Sequence, residues 1–240
     1  MKKILKLLIL PVVILVILAL YSFAGKRHHA REINDIKISF TDYSDPFISE
    51  KNVNKLLIVK EDSVKNLLAE KLDLNKSETR LVADPMIRTA EVSVDLNGRL
   101  NVVVEQRTPI ARLVGSKNMY LDSDNQLMPL SSEHTALVPV ITGFQAEFQE
   151  QLFDFLEYVR HDELLHIAIT QIALSKNGEA VLMLRSHDMR LKMGKLEQVD
   201  QKMSNFKAML AKVEKDKTVD QIKSMDLRYD RQVIVVKKSS

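Results

Sequence analysis

The 240-residue chain has no cysteine, no tryptophan, only six glycines and only six prolines. Without cysteine there is no disulfide, no thiolate metal site, no cysteine nucleophile and no lipidated cysteine anchor. No Gly-x-Gly-x-x-Gly, serine elbow or P-loop occurs, so the common phosphate-cradling and acyl-transfer signatures are missing. Internal repeats, low-complexity tracts and long linkers are absent as well. A basic field is also lacking once charge is divided by region. The net charge of +3 depends on six basic residues in positions 1–31, where there is no acid; beyond them 29 basic residues face 32 acidic ones. The body is therefore slightly acidic and has no general affinity for nucleic acid.

What is present is ordinary for a globular protein, with 45% hydrophobic and 28% charged residues, enough for one or two packed domains. One long apolar run stands out. Residues 7–24 carry no charge, and at about 1.5 Å per residue they reach roughly 27 Å, close to a bilayer core of about 30 Å. The run predicts a transmembrane helix over 7–25 after a short tail, residues 1–6. The competing reading is a cleaved signal peptide ending near Ser22-Phe23-Ala24, but the apolar core is longer than a signal requires. Lys2, Lys3 and Lys6 on one side nearly balance Lys26, Arg27 and Arg31 on the other, so charge alone leaves the orientation open.

Two units are expected after the run. In residues 32–108, Ile36, Ile38 and Phe40 alternate as a strand. Helical spacing follows at Ile48, Val53, Leu56 and Leu57, then at Val64, Leu67, Leu68 and Leu72, with a further helix or turn over 73–82. Residues 90–96 and 99–105 alternate around Asn97-Gly98, which predicts a hairpin with a type I′ turn. In residues 109–240, short strands are expected at 110–113, around a turn at 122–125, at 138–143, 166–174, 180–184 and 189–193. Two amphipathic helices are expected, at 146–160 and from Leu196 to Val213. The last strand is expected over 225–236, with Met225, Leu227 and Tyr229 alternating and Val233 to Val236 continuing it past a polar break at Asp230-Arg231-Gln232. The fold class is thus α+β.

Residues 84–112 resemble the end of the POTRA domain of the bacterial cell-division proteins FtsQ, called DivIB in Gram-positive bacteria. The matching positions are Pro85, Met86, Ala90, Val92, Arg107, Pro109, Ile110 and Ala111. Tyr120-Leu121-Asp122 is similar to the family's next strand, with Asn125 about where glycine is usual. The stretch from Met189 to Lys195 and the sequence Met225-Asp226-Leu227-Arg228-Tyr229-Asp230 resemble its later motifs. The resemblance implies a transmembrane helix, a POTRA domain of order β-α-α-β-β, and a β-rich domain with two amphipathic helices. It implies a non-enzymatic, cofactor-free scaffold of the divisome in the inner membrane at the septum, single-pass, N-terminus cytoplasmic and body periplasmic. Its partners would be the coiled-coil pair FtsB–FtsL, through them the septal synthase FtsW–FtsI, and an upstream recruitment factor on the POTRA domain. The alternative is a POTRA-bearing envelope transport or assembly factor that binds β-rich clients.

The candidate site is the last strand. A strand at a sheet edge offers unpaired N–H and C=O groups to a partner strand. The family motif places the central aromatic contact at Tyr229, flanked by Arg228 and Arg231, with Gln232, Val233 and Ile234 following; the family commonly has a small residue at the Arg231 position. Other chemistry is weak. Glu163-x-x-His166 is half of a di-iron motif without its second copy, and His28-His29 sit among basic residues as interfacial charge. No metal site or catalytic residue is assigned.

Overall fold

The computed structural model describes residues 14–17, 33–41, 46–57, 72–229 and 232–238. Among these, no helix is long and apolar enough to cross a membrane. That corrects the expected transmembrane helix over 7–25, and with it the single-pass inner-membrane placement. The described part of the apolar run is residues 14–17, an exposed turn of helix. At about 1.5 Å per residue it covers a small fraction of a bilayer core; the rest of the run lies outside the described residues.

The chain divides into two units, Met1–Gln106 and Arg107–Ser240. The first contains β1 (Asp35–Phe40), α1 (Glu50–Leu57), α2 (Leu74–Val82), β2 (Ile87–Val94) and β3 (Arg99–Gln106). β3 is central, parallel to β1 and antiparallel to β2. Its alternate residues Leu100, Val102 and Val104 are buried with Val53 and Leu57 of α1 and Leu81 of α2. α2 has its own start, because the Asp73 side chain accepts a hydrogen bond from the Lys76 N–H at 3.1 Å. That bond holds the Asp73 carboxyl below its ordinary range. The helix expected from Val64, Leu67 and Leu68 falls in 58–71, outside the described residues.

The second unit contains β4 (Pro109–Val114), β5 (Met119–Asp122), β6 (Leu127–Pro129), β7 (Val140–Thr142), α3 (Gln149–Arg160), α4 (Glu163–Ala168) and β8 (Ile169–Leu174). β9 (Glu179–Leu184), β10 (Arg190–Lys195), α5 (Val199–Lys215), β11 (Ile222–Asp226) and β12 (Ile234–Lys237) complete it. Its strands form one nine-stranded sheet in the order β12-β11-β10-β9-β8-β7-β4-β5-β6. The expected α+β class, a β-rich domain with two helices, is corrected to a mixed α/β arrangement. β7 and β8 run parallel, joined through α3 and α4; β10 and β11 run parallel, joined through α5. A parallel pair needs a crossover, and helices supply both here. Leu152, Phe155 and Leu156 of α3 and Met203, Phe206 and Leu210 of α5 are buried in one core with Ile172, Leu182 and Leu191 of the sheet.

A short helix was missed in the sequence. Asp162 accepts hydrogen bonds from the Leu164 and Leu165 N–H groups at 3.2 and 3.0 Å, and Lys207 of α5 bonds its other oxygen. The cap makes Glu163–Ala168 helical, so the strand begins at Ile169 rather than His166. Glu163 and His166 thus share one helical turn. Among the described residues no group of three or more His, Asp or Glu is placed to hold a metal.

Three hairpins share one turn. In the first, the Gly98 N–H bonds the Asp95 carbonyl at 3.2 Å and the Asp95 N–H bonds the Arg99 carbonyl at 3.0 Å. The same pattern links Asp122, Asn125 and Gln126, and again Ser175, Gly178 and Glu179. Gly98, Asn125 and Gly178 are left-handed, with φ of 79°, 58° and 74°. Asn97 has no positive φ, so the expected type I′ turn is instead a three-residue loop closed by a left-handed residue. In each turn the first side chain accepts two further N–H bonds: Asp95 from Asn97 and Arg99, Asp122 from Asp124 and Gln126, Ser175 from Asn177 and Glu179.

Gly143, just after β7, has φ +73°, and a Cβ there would lie 2.1 Å from the Leu174 carbonyl oxygen of β8. Gly143→Ala is expected to cost at least about 1 kcal/mol, since both conformation and space oppose it. Urea unfolding checks this; an unchanged midpoint contradicts it.

Candidate partner-binding edge

The segment expected to be one strand, 225–236, is two. β11 is flanked on both sides, parallel to β10 and antiparallel to β12. The chain leaves β11 after Asp226 and re-enters the sheet at Ile234. Among the described residues the strand that ends this side of the sheet is therefore β12, four residues long, and not the stretch bearing Arg228 and Tyr229.

The edge is built by alternation. Val233 and Val235 turn inward and pack on the core, while Ile234 and Val236 are 41% and 42% exposed. The Lys238 N–H bonds the Gln221 carbonyl at 2.7 Å. By the two-residue period of a strand, the N–H groups of Ile234 and Val236 also face β11. Those of Val235 and Lys237 then face away from it, along the open edge.

Arg228 and Tyr229 sit in the connection between the two strands. The Leu227 N–H bonds the Lys192 carbonyl at 2.9 Å, which carries the chain one residue further along β10. Arg228 then turns back on Asp226: its Nε donates to Oδ1 at 2.9 Å and its Nη2 to Oδ2 at 2.7 Å. The side-chain stem crosses Gly194, where a Cβ would lie 2.8 Å from the Arg228 Cγ. Tyr229, next in the chain, is 51% exposed. Gln232 is exposed and Val233 half-buried, neither in a strand; Arg231 lies outside the described residues. Nearby, the Lys202 ammonium of α5 caps the end of β10 by donating to the Met193 and Lys195 carbonyls at 3.2 and 2.8 Å. Partial burial pushes its pKa down.

Asp226 and Gly194 lie in the motifs that the sequence singles out, but their contact with Arg228 was not foreseen there. The signal for Asp226 was an acid between two buried apolar residues, Met225 and Leu227. Such a carboxylate needs a partner, and an arginine two residues on supplies it. The Arg228 guanidinium, more than any other group, holds the Asp226 carboxyl below its ordinary value of 3.8. A carboxyl lowered in the folded state stabilises above its unfolded pKa, and that contribution is lost as pH falls through the folded value. Thermal unfolding of the wild type is therefore expected to fall more steeply below about pH 4 than that of Asp226→Asn. Parallel pH profiles for the two proteins contradict this.

Two other family-motif positions are structural. Asp122 is buried and takes a 2.8 Å hydrogen bond from Arg107 in addition to its two turn N–H groups. The pair ties the start of the second unit to its first turn.

Fold and site together define a two-unit protein whose second unit is a mixed sheet with helices packed on its core face and an open edge strand. Residues 108–236 match the family model described as FtsQ/DivIB, C-terminal related, and the chain belongs to that family. No curated protein matches the chain. Membership points to a role in cell division, within a family of non-enzymatic division scaffolds, with division-complex proteins as partners.

Proposed function

We propose that the protein is a division scaffold that recruits the FtsB–FtsL pair through the edge of its second unit, and through that pair reaches the septal synthase FtsW–FtsI. The observation that carries this reading is the outer side of β12: among the described residues no strand pairs with that side, its outward N–H groups are those of Val235 and Lys237, the side chains of Ile234 and Val236 on the strand are exposed, and the half-exposed Tyr229 precedes it in the chain. Strand addition uses such a combination, backbone bonds for affinity and alternate side chains for choice of partner. Arg228 is a positioning residue in this reading. Its clamp on Asp226 fixes the backbone immediately before Tyr229.

Residues 32–108 are proposed as a POTRA domain that receives an upstream recruitment factor, a reading supported by the order β1-α1-α2-β2-β3. Depleting the protein in the bacterium that carries it tests the reading as a whole. Long, undivided filaments are the expected result. Normal division with a defect in envelope export favours the transport alternative instead.

A further inference from the structure

A cleft of about 700 Å³ lies in the second unit, away from β12 in the strand order, where β4, β7 and β8 begin. Its size is that of a ligand pocket. Arg112 of β4, Arg160 of α3, Arg185 after β9 and His166 of α4 line it, and among the described residues no aspartate or glutamate does. The walls between them are apolar, with Ile110, Leu156, Val159 and Ile169 among them.

Two of the arginines have other bonds: Arg160 pairs with Glu157 at 2.8 Å, and the Arg185 Nε donates to the Ile167 carbonyl at 3.2 Å. Arg112 differs. Its Nε is buried and has no hydrogen-bond partner. A buried cationic donor left unmet is costly, and native proteins rarely keep one without a reason. At the rim runs the irregular stretch between β6 and β7. There Leu137 is 98% exposed, and no backbone hydrogen bond of Leu137 or Val138 appears among the described residues.

From this we infer that the cleft binds an acidic peptide segment of a protein partner, with a carboxylate at Arg112 and an apolar neighbour on the Ile110–Val159 wall. Arginine matches a carboxylate in planar, two-pronged geometry, and surrounding apolar walls strengthen the contact by excluding water. The unpaired backbone at Leu137 and Val138 favours a peptide over a small anion, because it offers a second chain something to pair with.

The test uses the full chain and a capped hexapeptide alternating glutamate and leucine, with glutamine-leucine and inorganic phosphate as comparison probes. The glutamate peptide is expected to bind at least tenfold tighter than the glutamine one, with affinity falling as salt rises. Arg112→Gln is expected to lose at least tenfold. If that variant fails to fold, Leu137→Asp serves in its place: its side chain is exposed, and a negative charge at the rim should give a similar loss. Equal binding of both peptides, or no loss in either variant, overturns the inference. So does binding of phosphate as tight as that of the glutamate peptide, which makes the cleft a site for small anions.

Discussion

Replacing Tyr229 with lysine is expected to weaken binding of the FtsB–FtsL pair about 30- to 300-fold while leaving thermal unfolding unchanged. The ring is half exposed, so the fold gains little from it, while Leu227 and Met225 just before it in the chain are buried. At an interface the balance reverses. Aromatic anchors are the residues whose loss most often costs 2 kcal/mol or more, and about 1.4 kcal/mol is tenfold in affinity. Lysine adds an ammonium that must be desolvated beside the Arg228 guanidinium. A titration of the pair against both proteins, with melting curves alongside, separates the two effects. Undiminished binding removes Tyr229 from the interface; a lowered melting point makes it a packing residue.

Proline at two adjacent positions of β12 is expected to give opposite results. Lys237 is exposed and its N–H points along the open edge, so Lys237→Pro removes one donor from that edge and none from the β11–β12 ladder. Stability should stay within about 0.5 kcal/mol. Partner affinity should fall about tenfold, since the incoming strand loses a bond and buries an unmet carbonyl. Val236→Pro removes a donor facing β11, opposite Ser224, and should lower stability by about 1–3 kcal/mol. If both variants bind normally, the partner does not add a strand here. If Lys237→Pro alone unfolds the protein, the N–H alternation is assigned the wrong way round.

Much of the fold was legible because short-range chemistry agreed with it. Alternation on either side of Asn97-Gly98 and Asn177-Gly178 marks two hairpins, and the apolar spacing of Phe155 with Val159 and of Met203 with Phe206 and Leu210 marks the long helices. Turn type was harder. Asn-Gly favours type I′ in isolation, but Asp95 accepts two N–H groups from its own loop and draws it into the longer form. The helix Glu163–Ala168 was hidden because Ile167, Ile169 and Ile172 read equally well as strand. A cap at Asp162, reinforced by Lys207 from 45 residues away, decides it.

The candidate site was legible at its aromatic and basic positions but not in its division into two strands. Apolar residues resume at Val233 past the polar break Asp230-Arg231-Gln232, and such a break fits an interrupted single strand as well as two strands. Long-range pairing determines it: β10 is already parallel to β11, and the return at Ile234 adds β12 antiparallel on the far side. The same long-range pairing makes the class α/β, since parallel neighbours are invisible in a residue pattern. The clamp over Gly194 is likewise tertiary, joining residues 34 positions apart in the chain.

The most direct test of strand addition at β12 is amide hydrogen exchange of the full chain with and without the FtsB–FtsL pair. The account predicts that the amides of Val235 and Lys237, which face the open edge, gain strong protection when the pair is added, while those of Ile234 and Val236 change less. Protection confined to other strands, with Val235 and Lys237 exchanging as fast as in the free protein, contradicts it.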